Sequence, residues 1–325
     1  MTAPVLDAPA LETLVAAAVA APSVHNTQPW HFRLVPETSV LEVRAAPERA
    51  LRVIDPDGRA LHISVGAAVL NLRTAAQHLG WSPEVRLLPD PAEPDLLAGV
   101  ELDRAAACRA PAADALYDAI WRRHSIRAPF TGPPVPADVL AELADTARAE
   151  DAELEWPDDA ETARLLHLTA EAERFGATDP AQRAESRSWV RPPGASPDGI
   201  PVTALGPQDA DGRLPMRDFA ALAPERHLAP ARFEARPRIA VLLTRGDRPV
   251  DWLHAGLALE HLLLAATVHG VRASLLHQAM EWQALSWAVR DPRHGPAYAQ
   301  MLVRLGYGPE GAPTPRRPAA EVIDG

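Results

Sequence analysis

The sequence GAAVLNLRTAAQHLG at residues 66–80 returns, with changes, as GLALEHLLLAATVHG at residues 256–270. Six of the fifteen positions are identical at an offset of 190, including the glycine at each end, although three of the identities are alanines in an alanine-rich chain. Both stretches follow a predicted strand and turn, and both precede another predicted strand. Recurrence of one such unit predicts that half of the fold is duplicated within the chain.

Working outward, helical and strand patterns alternate in both halves, which predicts an α+β fold. A polar loop joins the first helix to a strand pair, and a proline-rich connector over 128–136 precedes the second set of elements. The predicted helices are Leu11–Ala21, Leu61–Leu79, Asp114–Arg123, Val139–Arg148, Glu161–Phe175 and Trp252–His269; the predicted strands are Trp30–Val35, Val40–Arg44, Glu84–Leu88, Ala98–Leu102, Glu153–Trp156, Arg238–Thr244, Ala273–Leu276 and one within Ala297–Leu305.

We divide the chain into a first half over 1–113 and a second half over 114–325. The span 186–237 is rich in proline, glycine and arginine, which predicts long loops with short helices. Loops of this length inside a domain are usually functional covers or disordered segments. We therefore expect this span of the second half to form a cover over a site that lies between the two halves.

The charge of the chain excludes several classes of protein. With 32 cationic and 43 anionic side chains the formal net charge is −11, which argues against a nucleic-acid-binding protein. All of the cations are arginine, so a P-loop lysine or a Schiff-base lysine is excluded. Arginine can nevertheless clamp a phosphate through two parallel hydrogen bonds.

Other residue types indicate a chain without a structural metal or a membrane anchor. Cys108 is the only cysteine, so no internal disulfide forms, and a spectator role fits it better than a reactive thiol. The histidines at 254, 261, 269 and 277 lack a carboxylate or cysteine at metal-binding spacing. The apolar N-terminal stretch has no preceding cation, and no apolar run is long enough to span a bilayer. We expect a cytoplasmic protein.

The strongest local signal is the run Arg122-Arg123-His124-Ser125-Ile126-Arg127, here called the arginine run. Three guanidinium groups and a hydroxyl within six residues, directly after a helix, suit an anion such as a phosphate. A solvated basic turn is the alternative explanation of this cluster by itself.

A second signal is Pro22-Ser23-Val24-His25-Asn26-Thr27-Gln28-Pro29-Trp30, here called the polar loop. Its amides offer donors and acceptors together, which suit the edge of a heterocycle. Capping of the neighbouring helix and strand by Ser23 and Asn26 explains the loop equally well.

Together these two motifs resemble those of the nitroreductase superfamily, and more closely its Acg-like branch of FMN-binding oxidoreductases. The segments Leu275–Gln278 and Thr314–Pro318 resemble the backbone beside the flavin ring and the C-terminal phosphate contact of that family. The resemblance covers most of the chain and is weakest over 180–237. It implies a nitroreductase-like fold, duplicated so that one chain mimics the two-subunit dimer.

The resemblance also implies residue roles, with FMN as the cofactor. Arg123, Ser125, Arg127 and Arg317 would hold the phosphate or the ring edge, while Ser23, Asn26 and His124 would contact the flavin nearby. No catalytic side chain and no metal is implied, because the flavin carries the chemistry. The full set of expected cofactor contacts is Pro22, Ser23, Asn26, Gln28, Arg123, His124, Ser125, Arg127, Leu276, His277, Gln278, Arg316 and Arg317.

The two halves are not equivalent, since only the first contains the polar loop and only the second contains the arginine run. The counterpart of Ser23–Gln28 in the second half is Ala149-Glu150-Asp151-Ala152-Glu153. We therefore expect one FMN per chain and no flavin at the mirror position. The chain itself would be a monomeric pseudo-dimer or a weak homo-oligomer.

Three functions remain open at this point. The first is an oxidoreductase that passes electrons from NAD(P)H through FMN to a small acceptor such as a nitroaromatic compound, a quinone or a specialised metabolite. The second is a protein that sequesters or stores FMN under the 186–237 cover with little turnover. The third is an interaction protein with a vestigial site, for which Arg123→Ala would leave ligand binding unchanged.

Overall fold

The computed structural model describes residues 6–103, 111–192, 194–217, 219, 228–290 and 297–324. Cys108 and parts of the predicted cover, at 193, 218 and 220–227, lie outside the described residues. Every predicted helix is present, with ends shifted by at most three residues. The helices are α1 (Ala8–Val19), α2 (Arg59–His78), α3 (Pro111–Arg122), α4 (Ala137–Arg148), α5 (Asp159–Thr178), α6 (Pro180–Ser188), α7 (Pro249–Val268) and α8 (Gln283–Val289).

The predicted strands are also confirmed, and the fold is α+β. Five short strands of two residues each were not predicted. Four of them form two small parallel pairs between 190 and 231, and the fifth is Ile323–Asp324. The strands are β1 (Trp30–Val35), β2 (Val40–Ala45), β3 (Ser82–Leu87), β4 (Leu96–Asp103), β5 (Glu153–Glu155), β6 (Val190–Arg191), β7 (Ile200–Pro201), β8 (Gln208–Asp209), β9 (Pro230–Ala231), β10 (Arg238–Thr244), β11 (Arg272–Leu276), β12 (Tyr298–Gly306) and β13 (Ile323–Asp324).

Two larger sheets have the same internal order. The first sheet reads β3-β4-β2-β1 and gains β13 beside β1, whereas the second reads β11-β12-β10-β5. Within each set of four, all neighbours are antiparallel. The strands β1 and β2 form a hairpin, but residues 156–237 lie between their positional equivalents β5 and β10. The predicted cover is therefore part of one long insertion in the second sheet.

Helices α2 and α7 pack directly against each other at the centre of the molecule, and we call them the helix pair. A Cβ on Gly66 would lie 2.3 Å from the Leu253 carbonyl oxygen, and one on Gly256 would lie 2.2 Å from the Ile63 oxygen. Residues 63 and 253 are themselves 190 positions apart, so the contact is reciprocal, as across a twofold axis. Glycine at both positions lets the two backbones approach this closely.

The ends of the helix pair also correspond. Gly80 and Gly270 follow α2 and α7 with φ values of +80° and +70°, the left-handed conformation that glycine adopts without strain after a helix. Both helices are 20 residues long and buried over most of their length, and Leu253, Leu257 and Leu264 of α7 pack in the same core as most of the buried residues of α2.

The C-terminal tail crosses from the second half to the first. The backbone N–H of Phe32 donates to the Val322 carbonyl at 2.8 Å, and β13 runs parallel to β1. Val322 is fully buried in the core beneath the first sheet. Residues 314–318, which precede this strand, are thereby carried past the polar loop. Among the described residues, no helix combines the length and the hydrophobicity that a membrane span needs.

Candidate functional site

A cavity of about 1210 Å³, a volume that includes solvent at its mouth, lies between the polar loop and the helix pair; we call it the main cavity. Its walls come from both halves and from the C-terminal tail. Of the expected cofactor contacts, the structure brings together all except Gln28 and Arg317. Those lining the cavity are Pro22, Ser23, Asn26, Arg123, His124, Ser125, Arg127, Leu276, His277, Gln278 and Arg316.

The arginine run reaches the cavity because it extends the edge of the second sheet. Ser125 forms an isolated parallel bridge with Ala273, and the Ile126 N–H donates to the Ala273 carbonyl at 2.8 Å. The side chain of Ile126 is buried. This backbone pairing fixes the orientation of Arg123 and Arg127 on either side of Ile126.

The polar loop has a strained backbone that several hydrogen bonds hold in place. His25, Asn26 and Gln28 have φ values of +49°, +54° and +50°, which cost non-glycine residues on the order of 1–3 kcal/mol each. The Gln28 N–H donates to Ser23 Oγ at 2.9 Å, and the Val24 N–H donates to Ser64 Oγ at 3.2 Å. Such strain concentrates at binding sites, where the surrounding structure must impose it.

Two guanidinium groups meet at one end of the main cavity. Arg123 and Arg316 both donate to the Ala20 carbonyl, at 3.1 and 3.2 Å, and this carbonyl lies at the C-terminus of α1. The negative end of a helix stabilises cations placed there. Arg316 also donates to Asn26 Oδ1 at 3.0 Å and to Thr314 Oγ1 at 2.5 Å. Two like charges are thus held close together, which is the arrangement an anion requires.

A single buried carboxylate accompanies this pair. Glu260 on α7 lies 3.2 Å from Arg123 Nε and is fully buried. Burial raises the pKa of Glu260 to about 7, despite the opposing attraction of Arg123 and Arg316. Burial, and then repulsion from Arg123, lower the pKa of Arg316 to about 9. Arg123 Nε faces Glu260, whereas Arg316 Nε has no hydrogen-bond partner among the described residues, so this end retains a donor for a bound anion.

A second pair of cations occupies the other end. Arg127 donates to the Ala204 carbonyl at 2.9 Å, and no carboxylate among the described residues lies within ion-pair distance of it. Burial, and then repulsion from Arg217, lower the pKa of Arg127 to about 10. Arg127 and Arg217 lie 5.5 and 5.8 Å from the centroid of the Phe219 ring, within cation–π range.

Arg217 belongs to a buried polar cluster that also lines the cavity. It pairs with Glu281, whose carboxylate also lies 2.7 Å from His277 Nδ1. Burial opposes ionisation of Glu281, but Arg217 and His277 outweigh it and hold its pKa at about 2. Burial, and then repulsion from Arg217, lower the pKa of His25 well below its ordinary value, so this imidazole is neutral at pH 7.

Arg59, Arg217 and Phe219 line the cavity but were not among the expected contacts. Arg59 is the first residue of α2 and donates to the Gln300 carbonyl at 2.8 Å. A lone arginine at a helix start carries no sequence signal. Arg217 and Phe219 come from the 156–237 insertion, where proline and glycine predict loops but not their tertiary position.

Gln28 and Arg317, by contrast, lie outside the cavity lining. The Gln28 amide donates to the Pro197 carbonyl at 2.8 Å and accepts from the Arg317 N–H at 2.8 Å. Gln28 therefore braces the polar loop against the insertion and the C-terminal tail. Its hydrogen bond to the Arg317 backbone holds the tail beside Arg316.

The loop Ala149–Glu153, the expected counterpart of the polar loop, is held by contacts of Glu150 with Arg73 and His261. Glu150 accepts from Arg73 at 3.0 Å and lies 2.9 Å from His261 Nδ1. Burial opposes ionisation of Glu150, but His261 and Arg73 outweigh it and lower its pKa. The Glu150 carbonyl lies 3.2 Å from His254, the residue 190 positions after Ser64. A carboxylate with its own cations thus stands where the main cavity has surplus cations.

Two Mycobacterium tuberculosis proteins are similar to this chain over almost its whole length. The chain is 34% identical over 325 residues to the Mycobacterium tuberculosis protein named "Putative NAD(P)H nitroreductase Rv3131", covering 98% of this chain and 92% of that protein. It is 29% identical over 320 residues to "Putative NAD(P)H nitroreductase acg" of the same organism, covering 96% and 95%. No family model matches the chain.

Among solved structures, a nitroreductase with bound FMN from Desulfitobacterium hafniense overlaps 65% of this chain and 97% of its own, with 15% identity and a TM-score of 0.40. The relatives in sequence define the class: this chain belongs to the nitroreductase family. Within that family it falls in the branch that contains the Acg protein.

Proposed function

We propose that this chain is an FMN-dependent oxidoreductase that takes electrons from NAD(P)H and passes them to a small acceptor. The observation that carries the proposal is the pair Arg123 and Arg316, which share the Ala20 carbonyl at 3.1 and 3.2 Å inside the main cavity. A phosphate monoester carries roughly −1.5 to −2 charge at pH 7 and three acceptor oxygens, so it matches this pair in charge and geometry.

Different residues of the main cavity would bind different parts of the cofactor. Arg123 and Arg316 would hold the phosphate, with Ser125 and Thr314 as neutral donors at the same end. Arg127 would lie near the ring edge and favour negative charge there. When bound, FMN supplies the hydride chemistry, and this explains why the site needs no nucleophilic side chain.

We further propose that the two halves, 1–113 and 114–325, arose by duplication and together form the equivalent of a two-subunit site. Three observations support this: the equal lengths of α2 and α7, their reciprocal glycine contact and the shared strand order of the two sheets. Because Glu150 and its partners fill the mirror position, one FMN per chain is expected. A chain that contains its own dimer-like interface would be monomeric or weakly oligomeric.

The test starts from the chromophore that copurifies with the protein. We expect FMN at one per chain, bleaching on anaerobic addition of NADH or NADPH, and reoxidation by a nitroaromatic compound or a quinone. Two FMN per chain would contradict the asymmetry of the halves. Bound FMN that no nicotinamide nucleotide reduces would contradict the oxidoreductase.

FMN sequestration is a second candidate, and one observation favours it. The insertion is hydrogen-bonded to the polar loop: Asn26 Nδ2 donates to the Gly199 carbonyl at 2.9 Å, and Arg49 pairs with Asp198. A cover tied down in this way would slow the entry of a second substrate. Stoichiometric FMN that is reduced slowly and exchanges slowly with free FMN would favour storage, whereas fast turnover would favour the enzyme.

A further inference from the structure

The segment at Arg217 forms a wall between two cavities. A second cavity of about 1080 Å³ lies on the far side of the main cavity from the helix pair. Four residues line both spaces, so the two cavities are separated by one layer of side chains. These residues are Met216, Arg217, Phe219 and Gln278.

At this wall the carboxylates line the second cavity, and the cations line the main cavity. Burial opposes ionisation of Arg217, but Glu281 and then Glu173 outweigh it and raise its pKa, so Arg217 is charged. Both carboxylates line the second cavity. Arg127, which shares the Phe219 ring with Arg217, has no carboxylate partner among the described residues. The main cavity is therefore lined by two buried cations, Arg127 and Arg217, which both contact the ring of Phe219.

His25 adds a free donor to the same place. Its Nε2 lies 3.3 Å from Arg217 Nη1, and because a guanidinium only donates, Nε2 must carry the lone pair. The proton of the neutral imidazole is then on Nδ1. This atom is buried and has no hydrogen-bond partner in the described part of the chain. An unsatisfied buried donor costs about 1–3 kcal/mol, which a bound acceptor oxygen would relieve.

We infer that Arg217, beside His25 and Phe219, forms a subsite for the anionic group of the electron acceptor, and that the acceptor is an aromatic carboxylate. The inference rests on the proposed function and names the substrate class of that site. The carboxylate would bind Arg217 in competition with Glu281, while the aromatic ring lies in the main cavity beside Phe219. Arg217 thereby determines the preference for an anionic acceptor. Glu281 weakens this preference because it competes with the acceptor for Arg217.

The test compares an anion with a neutral molecule of the same shape. Binding of benzoate and benzamide to the purified FMN-loaded protein is measured by isothermal titration calorimetry, and turnover is measured with 4-nitrobenzoate and 4-nitrobenzamide. We expect benzoate to bind at least ~10-fold more tightly than benzamide, as one charge-assisted contact allows. The ratio of kcat/KM for the two nitro compounds should favour the anion in the same direction.

Two variants move this preference in opposite directions. Arg217→Gln should lower the benzoate preference by ~10-fold, because the cation is lost and Glu281 repels the anion. Glu281→Gln should raise it several-fold, because Arg217 no longer has a competing carboxylate, and a merely misfolded variant could not produce a gain. Arg213→Gln is the matched control, since Arg213 is exposed on the same segment and pairs with Asp211.

The outcomes separate this inference from the proposed function. Equal binding of benzoate and benzamide by the parent protein, or an unchanged preference in both Arg217→Gln and Glu281→Gln, would overturn the subsite even if nitrobenzamide is reduced. Preferential benzoate binding that depends on Arg217, in a protein whose bound FMN neither NADH nor NADPH reduces, would support the subsite and contradict the oxidoreductase.

Discussion

At one end of the helix pair the polar loop lies over Ser64, and at the other end the loop at Glu150 lies over His254. The two ends are 190 residues apart in sequence and share the packing of Gly66 against Gly256. At the first end surplus guanidinium groups surround the main cavity. At the second end Glu150 is saturated by Arg73 and His261.

This difference separates what packing requires from what chemistry requires. Glycine occurs at both position 66 and position 256 because a Cβ at either one would collide with a backbone oxygen of the partner helix. The neighbouring positions differ: α7 has Glu260 where α2 has Leu70, and it has His261 where α2 has Asn71. Identical backbone contacts therefore hold one open cationic site and one closed, neutralised site.

The largest effect is expected at the contact between Gly66 and Gly256, to which both helices contribute. Gly256→Ala and Gly66→Ala should each prevent stable folding, because the new Cβ would lie 2.2 or 2.3 Å from a carbonyl oxygen of the partner helix. Separation of two closely packed helices costs at least the ~1–3 kcal/mol of an overpacked core. Soluble yield and thermal unfolding measure this loss.

Gly176→Ala in α5 is the matched helical control, since its Cβ would meet only the end of the Gln182 side chain, at 3.1 Å. Gly176 is partly exposed, and replacing a glycine in a helix interior by alanine should be neutral or stabilising there. If one of the two central substitutions is tolerated and the other is not, the contact is not reciprocal, and the proposed duplication loses its best support.

The next effect distinguishes the two ends by cofactor content. Arg123→Gln should reduce the FMN that copurifies to a tenth or less, since loss of a charge-assisted phosphate contact lowers affinity by about 10-fold or more. Arg73→Gln, at the closed end, should retain FMN at the parent stoichiometry. Absorbance at the flavin maximum relative to protein, after extensive dialysis, gives the comparison.

Thermal unfolding of both variants serves as the control for this experiment. Arg73→Gln leaves buried Glu150 with one partner fewer, so it should be at least as destabilising as Arg123→Gln. Equal loss of FMN from both variants would mean that cofactor content follows stability and not contact with Arg123. Unchanged FMN in Arg123→Gln would favour a vestigial site.

The buried carboxylates at the two ends should respond to pH with opposite signs. The pKa of Glu260 is raised from 4.5 to about 7 in the folded chain, so the native state holds a proton that the unfolded state has released. The free energy of unfolding should therefore fall as pH rises from 4.5 to 7, by about 3 kcal/mol in total. Glu150 has a lowered pKa, so its contribution is present above 4.5 and is lost as pH falls below that value.

Urea unfolding of the FMN-free protein across this pH range tests both signs. Glu260→Gln should flatten the profile between 4.5 and 7, and Glu150→Gln should flatten it below 4.5 while lowering stability at pH 7. A profile that Glu260→Gln leaves unchanged would mean that Glu260 is ionised in the fold, paired fully with Arg123.

A feature of the fold or of the candidate site could be predicted where neighbouring residues in the sequence determine it. The periodicity of α2 and α7, the strand alternation and the compact arginine run are local, and the structure has these elements within a few residues. Arg217 and Phe219 were missed because their place in the site depends on how the 156–237 insertion folds back. The left-handed backbone of Gln28 was also hidden, since glutamine does not favour that conformation.

The smallest effect concerns how each loop is attached to its helix. Ser64→Ala removes the acceptor of the Val24 N–H, a bond of 3.2 Å that holds the strained polar loop, and should cost about 1 kcal/mol. His254→Ala removes the corresponding contact with the Glu150 carbonyl, but Glu150 keeps Arg73 and His261, so the loss should be smaller. The difference should appear in urea unfolding, and for Ser64→Ala also in faster release of FMN. A larger effect from His254→Ala would show that the closed end is held by its loop contact and not by its ion pairs.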